Sequence, residues 1–236
     1  MSVSELLPER TDSTGIHVLI DCSEPLTERF IGQLVKVCDE LEDAKEPTFA
    51  VLHVEGAEGV RELPWPGEVG IHLINKWERA LRRLERSPAG VIAVASGDCA
   101  GPALDVLLAA DHRIVTADLK LSPAVTSGRL WPGMAVHRLV QQLGVARARR
   151  LVLFGTEVLA REGIELGLFD RVVADRSGIS DAVQSAADLL SGLVGSELAI
   201  RRRLLLDATA TGYEESLGAH LAACDRMLRN QFADRA

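Results

Sequence analysis

The stretch that most constrains this chain is Val91-Ile-Ala-Val-Ala95, an apolar run with no polar interruption. A strand with one wet face alternates apolar and polar residues. An unbroken run fits a strand buried on both faces, as in a parallel sheet flanked by helices. The next residues sharpen this. Ser96-Gly-Asp-Cys-Ala-Gly101 is a small-residue turn, and an apolar helix runs from Pro102 to about Ala110. Proline suits the first turn of a helix, where its missing N–H is not needed. Strand, tight turn and buried helix in that order point to an α/β fold.

The remaining pattern agrees. His17-Val-Leu-Ile20 and Thr48 to Val54 read as apolar strands. Between them, Leu26, Phe30, Leu34, Val37 and Leu41 recur at helical spacing, as do Ile71, Ile74, Trp77, Leu81 and Leu84 further on. Residues 56–70 read as loop, with Pro64-Trp-Pro-Gly67 inside it. His112 to Val115 and Leu119-Lys-Leu121 read as short strands. Pro132-Gly133 opens a helix through Gln142, and residues 146–154 form another. A short helix at Ala160 to Gly167 leads to a strand at Phe169 to Val173. Only helices follow, over roughly 180–193, 196–209 and 213–231.

Composition excludes several functions. The net charge of −8 opposes nucleic-acid binding, which needs a basic surface. Three Trp, one Tyr and five Phe are few for a base-stacking platform. No apolar run approaches the ~18–20 residues of a membrane span, and residues 1–10 lack a basic region followed by an apolar stretch. Cys22, Cys38, Cys99 and Cys224 are far apart, without a CxxC or a Cys/His cluster, which speaks against zinc and for free thiols in a reducing, cytoplasmic setting. No P-loop, GxGxxG or HExxH is present, so no cofactor or metal is expected.

Three segments carry a family likeness. They are Gly90 to Asp111, Trp131-Pro-Gly-Met with His137-Arg-Leu-Val140, and Leu153-Phe-Gly-Thr156 through Ala160-Arg-Glu-Gly163 to Leu166-Gly-Leu-Phe-Asp-Arg-Val-Val173. Together, over Pro88 to Asp175, they resemble the crotonase (enoyl-CoA hydratase/isomerase) superfamily; the first 87 residues match only in element order. The resemblance implies a ββα spiral core over residues 1–175 and a C-terminal helical extension over 176–236 used in oligomer packing. It also implies an acyl-CoA thioester as substrate and a homo-oligomer (trimer or hexamer), or a hetero-oligomer with a crotonase homologue. More narrowly, the Ser-Gly-Asp-Cys-x-Gly turn, the Trp-Pro-Gly-Met-Ala segment and the short chain are similar to the crotonase-like subunit family of bacterial dihydroxyphenylglycine biosynthesis. That family works beside a type III polyketide synthase and another crotonase homologue, on a polyketide-derived acyl-CoA.

The resemblance also suggests site residues. Members hold the thioester oxygen of an enolate between two backbone N–H groups, and losing one such donor costs about 10²–10³ in rate. One donor belongs to the Gly-rich turn, here Gly101-Pro102-Ala103. Pro102 falls at the donor position and has no N–H. Either it simply starts the helix well, or this half of the oxyanion hole is absent or displaced to Gly101 or Ala103. The family's upstream Ala-Gly-x-Asp loop is not found, and Val60 and Arg61 are donors by position only. Of the two glutamates that move protons in hydratases, the first corresponds to Asp105, on a helix that should be buried. Burial raises a carboxyl pKa, which suits general acid/base work; the alternative is a carboxyl bonded to nearby backbone. The second would fall near Ala124 or Val125, where there is no acid.

Further pocket candidates are Asp98, Thr126, Trp131, Pro132 and Gly133. Asp98 also suits an Asx turn, and Trp131 also suits plain core. Cys99, with His112 or His137 as base, offers a thioester hydrolase as a further reading. The arginines at 147, 149, 150 and 201–203 could meet CoA phosphates, but such runs usually form solvated helix faces. Two main functions remain: an acyl-CoA lyase or isomerase using Asp105, and a non-catalytic subunit that stabilises a complete homologue. Pro102, the missing second acid and the missing loop motif favour the latter.

Overall fold

The computed structural model describes residues 15–45, 48–56, 65–126, 129–191 and 197–233. In chain order it contains β1 (Ile16–Asp21), α1 (Glu28–Asp43), β2 (Phe49–Glu55), α2 (Ile71–Glu85), β3 (Gly90–Ser96), β4 (Asp98–Cys99) and α3 (Ala103–Ala109). Then come β5 (His112–Thr116), β6 (Lys120–Leu121), β7 (Val125–Thr126), β8 (Arg129–Leu130), α4 (Ala135–Phe154), β9 (Val158–Leu159), α5 (Ala160–Leu166) and β10 (Arg171–Val173). The last elements are α6 (Ile179–Ser191), α7 (Glu197–Asp207) and α8 (Tyr213–Ala233).

The main sheet is all parallel, in the order β1-β2-β3-β5-β10. Its central strand, β3, is buried at every position, as the unbroken apolar run requires. Alternation divides its side chains. Val91, Ala93 and Ala95 join Ala50, Leu52 and Val54 in a front core with α1, α2 and α3. Ile92 and Val94 join Val51, Ile114 and Val173 in a rear core. That rear core is closed by Ala182, Val183, Ala186 and Ala187 of α6, a helix beyond residue 175. A second, small sheet of β4, β6 and β9 and a β7–β8 hairpin lie at the turn end of β3.

The helices form where their stripes predict. Thr27 caps α1, its hydroxyl accepting from the Phe30 N–H at 3.0 Å. Helix α2 packs on α1 through Trp77, Leu81 and Leu84, and Arg83 ties the pair to Asp39 and Glu42 at 2.6 Å each. The two helices expected at Pro132–Gln142 and 146–154 are both present within α4 and meet at a break at Gly144, whose φ of 78° only glycine adopts readily. Helix α3 is buried along its whole length. At its end, the Leu108 carbonyl and that of the C-cap Ala110 accept from the buried Arg113 guanidinium, and Leu108 O also accepts from the Gln142 side-chain amide at 2.9 Å.

Arg202 departs from the solvated face expected of residues 201–203. Arg201 and Arg203 do make surface pairs with Glu197 and Asp207. Arg202 instead binds the Asp111 carboxylate and donates to Ser87 O at 2.6 Å and Ala89 O at 3.0 Å. It clamps α7 to the start of β3.

Candidate functional site

The turn that joins β3 to α3 sets the site. Gly101 takes φ 58°, a left-handed conformation, and Pro102 follows as the N-cap of α3. The Ala103 N–H donates to Ala100 O at 3.1 Å, so it is spent inside the turn. With Pro102 lacking an N–H, Gly101 is the turn residue left to serve as a donor. Gly101 also lines a cavity of about 370 Å³, its open mouth included. Leu104, Asp105, Pro123, Ala124 and Trp131 line it too, and Leu130 with α4 completes the wall. The wall is apolar apart from Asp105.

Asp105 is 3% exposed. Burial, then the negative charge of Glu78, push its carboxyl up to about 7. Arg138, the Trp77 indole N–H and the Ala135 backbone N–H work against that rise without cancelling it. The Trp77 Nε1 lies 3.5 Å from Asp105 Oδ2. Oδ1 has no hydrogen-bond partner; its nearest cation, Arg138 Nη1, is 3.6 Å away, beyond bonding distance. Arg138 is itself held by Glu85 at 2.5 Å and by Glu78 at 3.0 Å. A carboxyl near half ionisation at neutral pH, on the wall of an apolar cavity, can give or take a proton.

The other sequence candidates separate. Trp131 lines the cavity and packs on the front core. Gly133 lies against its indole, where a Cβ would come 2.7 Å from Nε1. Pro132 is exposed. Asp98 pairs with Lys120 at 3.5 Å across β4–β6, in the manner of a strand-end residue. Thr126 lies in β7 opposite Arg129. Val60 and Arg61 lie outside the described residues. Ala124, where a second acid was sought, sits on the cavity wall and brings no charge.

Trp77, Glu78, Glu85 and Arg138 were not found from sequence. Trp77 was read only as part of an apolar stripe. One signal was available: Glu78 and Glu85 lie seven apart, on the same face of α2 as Trp77 and Leu81. Two acids on a core-facing side need a buried cation.

Cys99 does not form a nucleophilic site. Its thiol is buried and faces the Ser96 carbonyl at 3.4 Å and the Val54 carbonyl at 3.9 Å. Burial pushes it up to about 12, far from a thiolate at neutral pH. His137, one of its expected bases, is exposed. Cys22 and Cys38 are buried as well, and Cys224 is exposed. Native protein is therefore expected to release one fast equivalent per chain with Ellman's reagent, and four once denatured. A second fast thiol that Cys99→Ser removes would restore the hydrolase reading.

A parallel sheet that feeds a buried helix through a small-residue turn, with an apolar cavity beside that turn, defines a crotonase-type fold. Solved structures share it. An enoyl-CoA hydratase from Shewanella pealeana superposes with a TM-score of 0.76 at 17% identity, over 91% of this chain and 86% of that one. An enoyl-CoA hydratase/isomerase from Marinobacter aquaeolei gives 0.74 at 19% identity, over 90% and 88%. The family model for enoyl-CoA hydratase/isomerase matches residues 72–235. A protein described as enoyl-CoA-hydratase from Amycolatopsis orientalis is 43% identical over 212 residues, 90% of this chain and 95% of that protein. The chain belongs to the enoyl-CoA hydratase/isomerase family.

Proposed function

We propose that this chain binds an acyl-CoA thioester with its acyl part in the Asp105 cavity, and serves as a dehydratase-type subunit beside a catalytic crotonase homologue. The observation that carries this reading is Asp105 itself. It is a buried carboxyl titrating near neutrality on an apolar wall, one residue from the turn segment Gly101–Leu104. The apolar lining of Leu104, Pro123, Ala124, Leu130 and Trp131 suits the hydrocarbon part of an acyl group. Dependence on a partner follows from what the wall lacks. Ala124 brings no second acid, and Pro102 brings no donor. The Ser96–Gly101 turn and the Trp131-Pro-Gly-Met-Ala135 segment support the crotonase-like subunit of dihydroxyphenylglycine biosynthesis in particular. That role is formation of 3,5-dihydroxyphenylacetyl-CoA from a cyclic polyketide acyl-CoA, toward an antibiotic building block. No described helix is long and apolar enough to cross a membrane, which fits a substrate met in water.

The same gaps favour a second reading, in which the chain only stabilises the homologue. Reconstitution separates the two. The purified chain alone should hydrate crotonyl-CoA weakly, and mixing with the homologue should raise dehydration of the polyketide thioester. Asp105→Asn should then remove that gain by about 10²-fold or more. A gain that survives Asp105→Asn supports the stabilising role. Fast turnover by the chain alone, lost in Asp105→Asn, supports an independent lyase. Absence of both association and gain overturns the proposal.

A further inference from the structure

Three helices bring five charged side chains together behind the cavity. Helix α2 supplies Glu78, Glu85 and Arg82, α3 supplies Asp105, and α4 supplies Arg138. Arg138 Nε meets Glu85 Oε1 at 2.5 Å, and its Nη1 meets Glu78 Oε2 at 3.0 Å and lies 3.6 Å from Asp105 Oδ1. Arg82 Nη1 meets Glu85 Oε2 at 3.1 Å from the solvent side. The strands that face α3, β2 and β3, contribute only apolar side chains to this core: Ala50, Leu52, Val54, Val91, Ala93 and Ala95. Among the described residues, the charges facing Asp105 are therefore those of α2 and α4.

Counting them exposes an imbalance. Three carboxyls share two guanidiniums, and Arg82 is half exposed, so its charge is largely screened. Arg138, only 7% exposed, spends its short contacts on the two glutamates. Asp105 is left with a long indole contact on Oδ2 and the pull of the Ala135 backbone N–H, while its Oδ1 has no hydrogen-bond partner within bonding distance. A buried carboxylate so poorly served is costly, and a proton removes that cost.

We propose that Asp105, Glu78, Glu85 and Arg138 form a proton store, in which Asp105 takes up and releases a proton around neutral pH because Glu78 and Glu85 take the short contacts of Arg138. Glu78 and Arg138 are positioning residues. They touch no substrate, and they decide whether the cavity is offered an acid or a carboxylate. Any use of the stored proton rests on the thioester reading above; its existence does not.

The test is a carbon-13 NMR titration of the full chain labelled at aspartate side-chain carboxyls, with Asp105→Asn locating the signal. Asp105 should titrate about two or more units above an ordinary aspartate. Glu78→Gln removes a negative charge and frees Arg138 to turn toward Asp105. It should lower the Asp105 midpoint by about one unit, and Glu78→Asp should restore part of the shift. A structural role alone would not move that midpoint. Arg138→Lys gives a second handle if Glu78→Gln folds poorly. The shorter reach of lysine weakens the hold on the glutamates, and the midpoint should again move. An Asp105 that titrates like a surface aspartate, or one unmoved by both variants, overturns the proton store. An inactive chain whose Asp105 still titrates near neutrality overturns only the functional reading. An active chain whose Asp105 titrates as a surface aspartate overturns only the store.

Discussion

Replacing Arg138 with methionine is expected to lower the free energy of unfolding by about 3–5 kcal/mol near pH 8, measured by urea denaturation. Methionine fills similar space, so the loss is mainly electrostatic. Glu85 would then keep Arg82 as its described cation, while Glu78 would keep the Met134 N–H at 3.4 Å and Asp105 the Trp77 indole N–H at 3.5 Å, with no described cation on either. The cation that holds the Asp105 carboxyl down would be gone, so its folded-state pKa, already raised by burial, should rise further above that of the unfolded chain. An acid shifted that way is at no disadvantage below its unfolded pKa, and it destabilises progressively as pH climbs toward the folded one. The deficit should therefore shrink between about pH 8 and pH 5. A deficit independent of pH would show that Arg138 matters through packing, not charge.

The second large effect lies at Gly56. A Cβ there would stand 1.5 Å from the Asp98 carbonyl oxygen and 2.4 Å from its carbon. Both are backbone atoms, so no rotamer change relieves the clash. Either the end of β2 or the turn from Gly97 to Gly101 must move. Gly56→Ala is expected to cost about 3 kcal/mol or more and to weaken acyl-CoA binding, read by calorimetry, because the displaced turn lines the cavity. Gly32→Ala is the control. A Cβ at Gly32 has nothing within 4 Å, and it sits in the middle of α1. That change should stabilise by up to about 1 kcal/mol. Equal behaviour of the two variants would refute the close approach at Gly56.

The fold was legible because its strongest signals are local. The unbroken run at Val91–Ala95 announces the central strand, and the stripe from Leu26 to Leu41 announces α1. Strand order was not legible from periodicity, since nothing in β10 says that it pairs with β5 rather than with an edge. It came from the structure. The site divides the same way. Asp105 stands out locally, a carboxyl between Leu104 and Val106 on a buried helix. Its partners do not. Trp77, Glu78 and Arg138 are 28, 27 and 33 residues away in sequence, and only packing of α2 and α4 on α3 brings them together. Arg202 misled for a related reason. Its neighbours Arg201 and Arg203 are surface residues, and one turn of helix hides the difference.

The rear core also has a bearing on how the chain is made. Val51, Ile92, Val94 and Ile114 are all synthesised before the alanines of α6 that cover them. On the ribosome, the front of the sheet can close early, since α1, α2 and α3 are interleaved with its strands. The back stays bare until about residue 190 has emerged. During that interval the nascent chain offers an apolar strip of the kind that chaperones hold and that promotes aggregation. A message broken before α6 would yield a sheet with one unprotected side, because a single helix of mostly small residues closes it.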